Sequence, residues 1–156
     1  MFWDNPPKIK IYEAIGAIAD GRIEMTSENE AKVFSSSRKK YYNVIFDSKE
    51  NAIFSNDNGS YWRGYLGYPS ITFLIAKNIL KVNTEVIEML KDYKWKDINQ
   101  KFKNDFTKTE EFIRESILEK GFDLKKMDDS IEAIQKELED LKLKKLNYNL
   151  KPPKGY

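Results

Sequence analysis

A chain of 156 residues without histidine or cysteine lacks the imidazole and thiol groups used in histidine catalysis, thiol chemistry and zinc–thiolate sites. Its 27 basic and 25 acidic residues nearly cancel, so any nucleic-acid or membrane contact must come from a local patch. The hydrophobic content of 40% is that of a globular protein, and no stretch reaches the roughly 18 consecutive apolar residues of a membrane span.

Compartment and cofactors are also constrained. Residues 1–7 lack the basic and apolar segments of a signal peptide, so we expect a cytoplasmic protein without a membrane contact. The absence of cysteine excludes a disulfide scaffold, and the abundance of lysine and isoleucine fits a prokaryotic source. Neither G-x-x-x-x-G-K-[ST] nor a strand followed by G-x-G-x-x-G is present, and we expect no cofactor.

The first predicted element is a helix from about Pro7 to Asp20. Proline is favoured at the start of a helix, and Gly21 can close the end in a left-handed conformation. Apolar residues recur at spacings of three and four, which indicates one buried face. These residues are Ile11, Ile15, Ile18 and Ala19.

Between Arg22 and Ser55 the spacing of apolar residues changes to two. Four short segments, separated by short polar links, are predicted to form an antiparallel meander of three or four strands with helices over one face. The segments are Arg22–Met25, Ala31–Ser35, Tyr41–Phe46 and Asn51–Ser55. A nearly apolar helix from Pro69 to Leu80 is then expected deep in the core.

The second half of the chain is predicted to be helical. Asn83 or Thr84 caps a short helix, and Gly121 ends a longer one that begins at Thr107. Apolar residues form two stripes in this region. They are Ile98, Phe102 and Phe106, followed by Ile113, Ile117 and Leu118.

The final helix carries apolar residues at alternating spacings of three and four, which is a heptad pattern. They are Leu124, Met127, Ile131, Ile134, Leu138 and Leu141. This seam either packs back on the domain, which we favour because so short a coil is marginal alone, or joins two chains in a homodimer through Leu124–Leu141. We expect an α+β protein with residues 1–82 as an α+β domain, 83–150 as a helical region and 151–156 as a flexible tail.

Candidate binding residues concentrate in the loop from Asn56 to Tyr68, which holds four aromatic residues, one arginine and several amides. Aromatic faces stack on bases or sugars, and arginine pairs with phosphate or carboxylate. Basic residues of the preceding hairpin turn add positive charge nearby. The predicted binding residues are Arg38, Lys39, Lys40, Tyr61, Trp62, Arg63 and Tyr65. The alternative is that the aromatic side chains only anchor the loop against the sheet.

Two strand motifs and the helix after this loop carry a family resemblance. The strands read A-K-V-F-S from Ala31 and Y-N-V-I-F from Tyr42, and the helix opens with G-Y-P-S from Gly67. Over residues 31–80 the chain thereby resembles a SWIM domain, a small zinc-binding fold of strands followed by a helix. The resemblance implies that the positions of the zinc ligands are occupied by Ser55, Asp57, Tyr68 and Ser70. Since serine and tyrosine hydroxyls are poor zinc ligands and only Asp57 is a plausible one, it also implies a domain held by packing in place of the metal.

We therefore predict a non-catalytic binding module, an accessory factor that contacts nucleic acid or a protein through the aromatic and basic loop. SWIM domains are regarded as modules of this kind. Assembly through the heptad helix is the alternative function. A third hypothesis is a metal-dependent enzyme in which Asp47, Glu50 and Asp57 converge, although acidic residues in hairpin turns more often form the turn itself.

Overall fold

The computed structural model describes residues 1–154 and confirms the α+β class, with a helix, a five-stranded sheet and then further helices. The strands are β1 (Ile23–Met25), β2 (Glu30–Phe34), β3 (Tyr41–Asp47), β4 (Ala52–Ser55) and β5 (Lys144–Lys145). The α-helices are α1 (Lys8–Ala19), α2 (Tyr68–Ala76), α3 (Thr84–Met89), α4 (Trp95–Lys101), α5 (Phe106–Glu119) and α6 (Leu124–Leu141), and a short π-helix, Gly59–Arg63, lies in the loop after β4. Within the described chain, no helix has both the length and the apolar composition needed to cross a bilayer.

Helix α1 is the centre of the molecule. It packs on α2, which covers β2, β3 and β4, and it also contacts α3, α5 and α6. The sequence predicted one buried face, whereas Ile11, Tyr12, Glu13 and Ile15 are all buried although they point in different directions around the helix. Gly21 follows the helix at φ 64°, as predicted from its position.

Helix α2 lies deep in the core, as predicted, with Ile71, Phe73 and Leu74 fully buried. It ends at Ala76, four residues before the predicted end at Leu80. The cause is Asn78, whose φ of 62° stops the helix, so that the backbone N–H of Leu80 turns back to the carbonyl of Leu74.

The four predicted antiparallel strands are confirmed in the order β1-β2-β3-β4, and a fifth strand that was not predicted extends the sheet. Strand β5 pairs in parallel with β4, with Lys144 opposite Ala52. The Asn51 side chain holds the exit of α6 beside β4, because its Nδ2 donates to the carbonyl of Leu141 at 2.7 Å. The sheet thus includes residues from both predicted regions, 1–82 and 83–150.

The apolar seam of α6 is buried within the chain. Its central residues are at most 3% exposed and pack in the common core, next to α1, α3 and α5. They are Met127, Ile131, Ile134 and Leu138. The favoured intramolecular packing is confirmed, and these side chains are not exposed for contact with a second chain. A homodimer through Leu124–Leu141 stays an untested prediction. The central apolar residues of that segment already pack inside one chain.

Two predictions for the helical region are corrected. The stripe of Ile98, Phe102 and Phe106 is divided between α4 and α5 by residues 103 and 104, both at positive φ. On α5 the predicted apolar residue Leu118 is 55% exposed. The flexible tail stays a prediction; at its first residue, the carbonyl of Lys151 accepts from Asn56 Nδ2 at 3.0 Å. Residues 155–156 of that tail lie outside the described residues.

Candidate functional site

A cavity of about 620 Å³ is lined by residues of α1, the β2–β3 turn, the loop after β4 and the start of α4. Its volume falls in the range of roughly 300–1,000 Å³ typical of pockets that hold small organic ligands. Five basic and two acidic side chains line it, and six of its lining residues are aromatic. The basic residues are Lys10, Arg22, Lys40, Arg63 and Lys96. This composition favours an anionic ligand.

Arg22 lines this cavity and has a guanidinium edge that makes no hydrogen bond to residues 1–154. The side chain is buried, and its Nη1 donates to the carbonyl of Phe34 at 2.7 Å. Its Nε and Nη2, which form the other edge, have no hydrogen-bond acceptor among residues 1–154. Asp20 Oδ2 lies 3.8 Å from Nε, close enough for an ion pair but too far for a hydrogen bond. Such an edge can donate two parallel bonds to a phosphate or carboxylate.

Trp95 supplies a second buried donor. The residue is 3% exposed, and its indole Nε1 has no acceptor in the part of the chain that the structure describes. Helix α4 is fixed to the β2–β3 turn by the next residue, because the backbone N–H of Lys96 donates to Ser36 Oγ at 2.9 Å. Gly16 of α1 leaves room for the indole, since a Cβ there would lie 2.6 Å from Nε1.

Two lysines belong to the same part of the cavity. The carbonyl of Lys40 accepts from the backbone N–H of Ser35, which closes the β2–β3 turn next to Phe34 and Ser36. Burial lowers the pKa of Lys40, and the positive charge of Lys96 lowers it further. A bound anion would offset both effects. We use the term donor end for this part of the wall, which consists of Arg22, Ser35, Ser36, Lys40, Trp95 and Lys96.

Another part of the wall, here termed the aromatic part, consists of Trp62, Tyr65 and Phe106. Trp62 is 69% exposed at the rim and contacts the ring of Tyr61 edge-on, with ring centroids 4.6 Å apart. The ring of Tyr65 lies against Gly59, where a Cβ would approach it to 2.4 Å. Glycine is therefore required at position 59 for this placement of Tyr65.

Four of the seven predicted binding residues line the cavity and three do not. Those in the wall are Lys40, Trp62, Arg63 and Tyr65. Arg38 and Tyr61 have other contacts, because Arg38 Nη2 donates to the carbonyl of Asp20 at 2.6 Å and Tyr61 packs on Trp62. Lys39 is exposed on the turn and is not part of the wall.

The two buried donors were missed by the sequence analysis. Arg22 was assigned to the start of a strand, and Trp95 was not singled out at all. The sequence held only a weak signal for Arg22. It is a cationic residue between the end of α1 and the apolar Ile23, at a position that the fold buries. Neither residue stands near the other in sequence, so no local pattern joins them.

Asp57 is the centre of a buried hydrogen-bond network beside the cavity. Its Oδ1 accepts from Ser55 Oγ at 2.6 Å and from Ser60 Oγ at 2.8 Å, and its Oδ2 accepts from the Ser60 backbone at 3.1 Å. Ser70 Oγ donates to Ser55 Oγ at 2.8 Å, and the backbone N–H of Gly67 donates to Ser60 Oγ at 3.1 Å. Burial raises the pKa of Asp57, while the bonds from the two serines act in the opposite direction.

Three of the four positions that the SWIM resemblance gives as zinc ligands belong to this network: Ser55, Asp57 and Ser70. The fourth, Tyr68, lines the cavity and packs edge-on against Tyr42, with ring centroids 6.0 Å apart. The resemblance itself stays a prediction. Hydroxyl and carboxylate groups hydrogen-bond to one another at these positions, which is a means of holding the loop to α2 by polar contacts.

The proposed convergence of Asp47, Glu50 and Asp57 is wrong. Asp47 Oδ1 accepts from the backbone N–H groups of Lys49 and Glu50 at 3.1 Å, so it forms its own turn. Asp57 is engaged with the serines of the buried network. Among residues 1–154, no group of three acidic side chains is placed to hold a metal ion.

Replacing Asp57 with asparagine is expected to cost roughly 1–3 kcal/mol of unfolding free energy, and to cost more in acid than at neutral pH. A raised native pKa means that the folded state binds the Asp57 proton more tightly than the unfolded state, whose pKa is about 3.9. The stabilisation by that proton is complete below the unfolded pKa and is lost as the pH rises through the native pKa. Urea unfolding of both proteins between about pH 3 and pH 7 measures the difference. A difference that grows with pH would mean that the native pKa is lowered instead.

Comparison with known proteins gives a family match that covers most of the chain. A model of the family described as Uncharacterised conserved protein UCP014422 matches residues 3–144. This range includes every residue of the cavity wall. No significant match was found among curated proteins or among solved structures. The function must therefore be argued from the cavity itself.

Proposed function

The chain belongs to this family, and we propose that it is a non-catalytic binding module whose cavity holds a small anionic ligand. The observation that carries the proposal is that two residues of one cavity wall, Arg22 and Trp95, hold buried donor atoms without acceptors among residues 1–154, Nε and Nη2 of Arg22 and Nε1 of Trp95. A buried donor without an acceptor costs roughly 1–3 kcal/mol. A ligand oxygen that reaches these atoms would accept from them and remove that cost.

The charges of the cavity support an anion. Its two acidic residues already have partners: Glu13 accepts from Lys10 at 3.0 Å and from Asn99 at 2.6 Å, and Asp57 accepts from the buried serines. At the donor end, the positive charges of Arg22, Lys40 and Lys96 outnumber one carboxylate, Asp20, whose Oδ2 lies 3.8 Å from Arg22 Nε. Positive charge at Arg22, Lys40 and Lys96 therefore creates a favourable potential for an anionic group.

The phenols of the cavity support binding over proton transfer. Burial raises the pKa of Tyr65 and Tyr68, so both stay neutral at physiological pH and can donate hydrogen bonds. A general base must be free to take a proton near neutral pH. Glu13 and Asp57, the carboxylates of the wall, are instead held by the contacts described above. The sequence-based prediction of binding through the loop is thereby limited to those loop residues that line the cavity.

Titration with inorganic phosphate is expected to move the indole N–H signal of Trp95 to lower field in a ¹H–¹⁵N spectrum. An N–H group without an acceptor becomes hydrogen-bonded when the anion enters. Trp3 is an internal control, because its Nε1 already donates to the carbonyl of Ile53 at 2.8 Å and should not respond. A Trp95 signal that stays fixed at saturating phosphate would contradict the proposal.

Lys40→Gln and Lys39→Gln form a matched pair of variants for the same titration. Each removes one positive charge from the same turn, but only Lys40 lines the cavity. We expect the Lys40 variant to bind phosphate about tenfold more weakly, since a charge-assisted contact of about 1.4 kcal/mol is lost. The Lys39 variant should bind as the wild type does. Equal losses in both would show that phosphate responds only to overall charge.

A further inference from the structure

The cavity is much larger than an inorganic anion requires. The donor end occupies one part of a volume of about 620 Å³. A phosphate or carboxylate group alone would fill only a small part of this volume. The remainder has room for a ligand body that extends from its anionic group toward Trp62, Tyr65 and Phe106.

The aromatic part has the character of a stacking surface. Trp62 is 69% exposed, and large aromatic side chains left in water at a cavity rim mark a surface that a ligand can cover. Tyr65 is held in place by its close approach to Gly59. Flat rings stack on such side chains with roughly 1–3 kcal/mol per base. The amides of Asn58 and Asn104, both exposed in the wall, can donate to and accept from the edge of a ring.

The donor end fits a phosphate better than a carboxylate. Three basic residues contribute to it, and Lys96 is close enough to Lys40 to lower the pKa of that amine. A doubly charged group reduces this repulsion more than a singly charged one does. A phosphate monoester also offers three terminal oxygens, which suits a wall with several donors better than the two oxygens of a carboxylate.

Resting on the proposed anion site, we infer that the ligand is a nucleoside 5′-phosphate, either free or at the end of a nucleic-acid strand. Its phosphate binds at the donor end. Its base lies in the aromatic part and is covered by Trp62. Both sources present the same chemistry, a ring joined through a sugar to a terminal phosphate.

Calorimetry with four probes tests the ring and the phosphate separately: inorganic phosphate, ribose 5-phosphate, adenosine and adenosine 5′-monophosphate. We expect the monophosphate to bind at least about tenfold more tightly than ribose 5-phosphate, because stacking of the base adds its contribution. It should also bind at least about tenfold more tightly than adenosine, which lacks the charged group. Equal affinities for the monophosphate and ribose 5-phosphate would overturn this inference and leave the anion site standing. No binding of any phosphate probe would overturn both.

The Trp62→Ala variant tests where the base of the ligand binds. The side chain is exposed, so its removal should leave the fold intact. The variant should bind ribose 5-phosphate as the wild type does, while its affinity for the monophosphate falls about tenfold to the same level. Phe112→Ala, an exposed aromatic of α5 outside the cavity wall, is the control and should change neither value. Unchanged monophosphate affinity in the Trp62 variant would place the base elsewhere and overturn the inference.

A last comparison distinguishes the two sources. A hexanucleotide with a 5′-phosphate, the same strand with a 5′-hydroxyl and the free monophosphate are titrated in parallel. Tighter binding of the phosphorylated strand than of the monophosphate identifies a strand end as the ligand, and the reverse order identifies a free nucleotide. Either order supports the inferred chemistry. Equal binding of the two strands, both tighter than the monophosphate, would overturn it, because the terminal phosphate would then contribute nothing.

Discussion

Replacing Gly67 with alanine is expected to lower the unfolding free energy by roughly 3–5 kcal/mol. The new Cβ would lie 1.9 Å from Asp57 Oδ2 and 2.4 Å from its Cγ, so the carboxyl group must move. It cannot move far without losing the bonds from Ser55 and Ser60. The variant thus combines overpacking with a buried carboxyl group that has lost its donors, and the two costs act together.

Gly121→Ala provides the control, because it separates lack of space from backbone strain. Gly67 has an ordinary φ of −76°, whereas Gly121 has a φ of 85° and no neighbouring atom within 4 Å of the point that a Cβ would occupy. We expect the Gly121 variant to lose only about 1–2 kcal/mol, the cost of a left-handed residue with a side chain. Urea unfolding of both variants measures the difference. Equal losses would mean that the Asp57 network adapts to the methyl group at little cost.

Local patterns were sufficient to predict most of the fold. Alternating apolar residues joined by short polar links specify antiparallel neighbours, and β1 to β4 pair in that order. Strand β5 could not be predicted in this way. Its two residues, Lys144 and Lys145, have no apolar alternation, and they join the sheet because α6 returns the chain to β4, where Asn51 bonds to Leu141 and Lys142. Such a strand is specified by tertiary packing.

The candidate site also has residues that a local sequence pattern predicts and residues that only the fold brings together. Trp62, Arg63 and Tyr65 stand together in one loop, so the sequence shows aromatic and basic side chains in a single patch. The donor end is assembled from α1's exit, the β2–β3 turn and the start of α4, which are distant in sequence. Arg22 and Trp95 each have an ordinary local explanation, as a strand residue and an apolar helix residue. Only the fold shows that both are buried donors in one wall.

Replacing Arg22 with methionine is expected to weaken phosphate binding at least about 100-fold while leaving the unliganded protein as stable as the wild type or more stable. Methionine keeps an unbranched apolar stem and removes a buried guanidinium whose Nε and Nη2 have no acceptor among residues 1–154. One hydrogen bond is lost, from Nη1 to the carbonyl of Phe34, and so is the ion pair of Nε with Asp20 Oδ2 at 3.8 Å. These losses of about 1 kcal/mol each are offset by the removal of two buried donors without acceptors, each of which costs roughly 1–3 kcal/mol.

Weaker phosphate binding together with unchanged or higher stability would distinguish a ligand-binding role of Arg22 from a structural one. Replacing an arginine that only supported the fold would lower the unfolding free energy of the protein. Any weaker phosphate binding would then follow from that lower stability. An arginine kept for a ligand destabilises the empty protein, so its removal raises or preserves stability as binding disappears. Arg38→Met is the control, because Arg38 is exposed, donates to the Asp20 carbonyl and lies outside the wall. Urea unfolding without phosphate and calorimetry with phosphate, on both variants, separate the two roles. Reduced stability together with unchanged phosphate affinity for the Arg22 variant would assign this side chain to the fold alone.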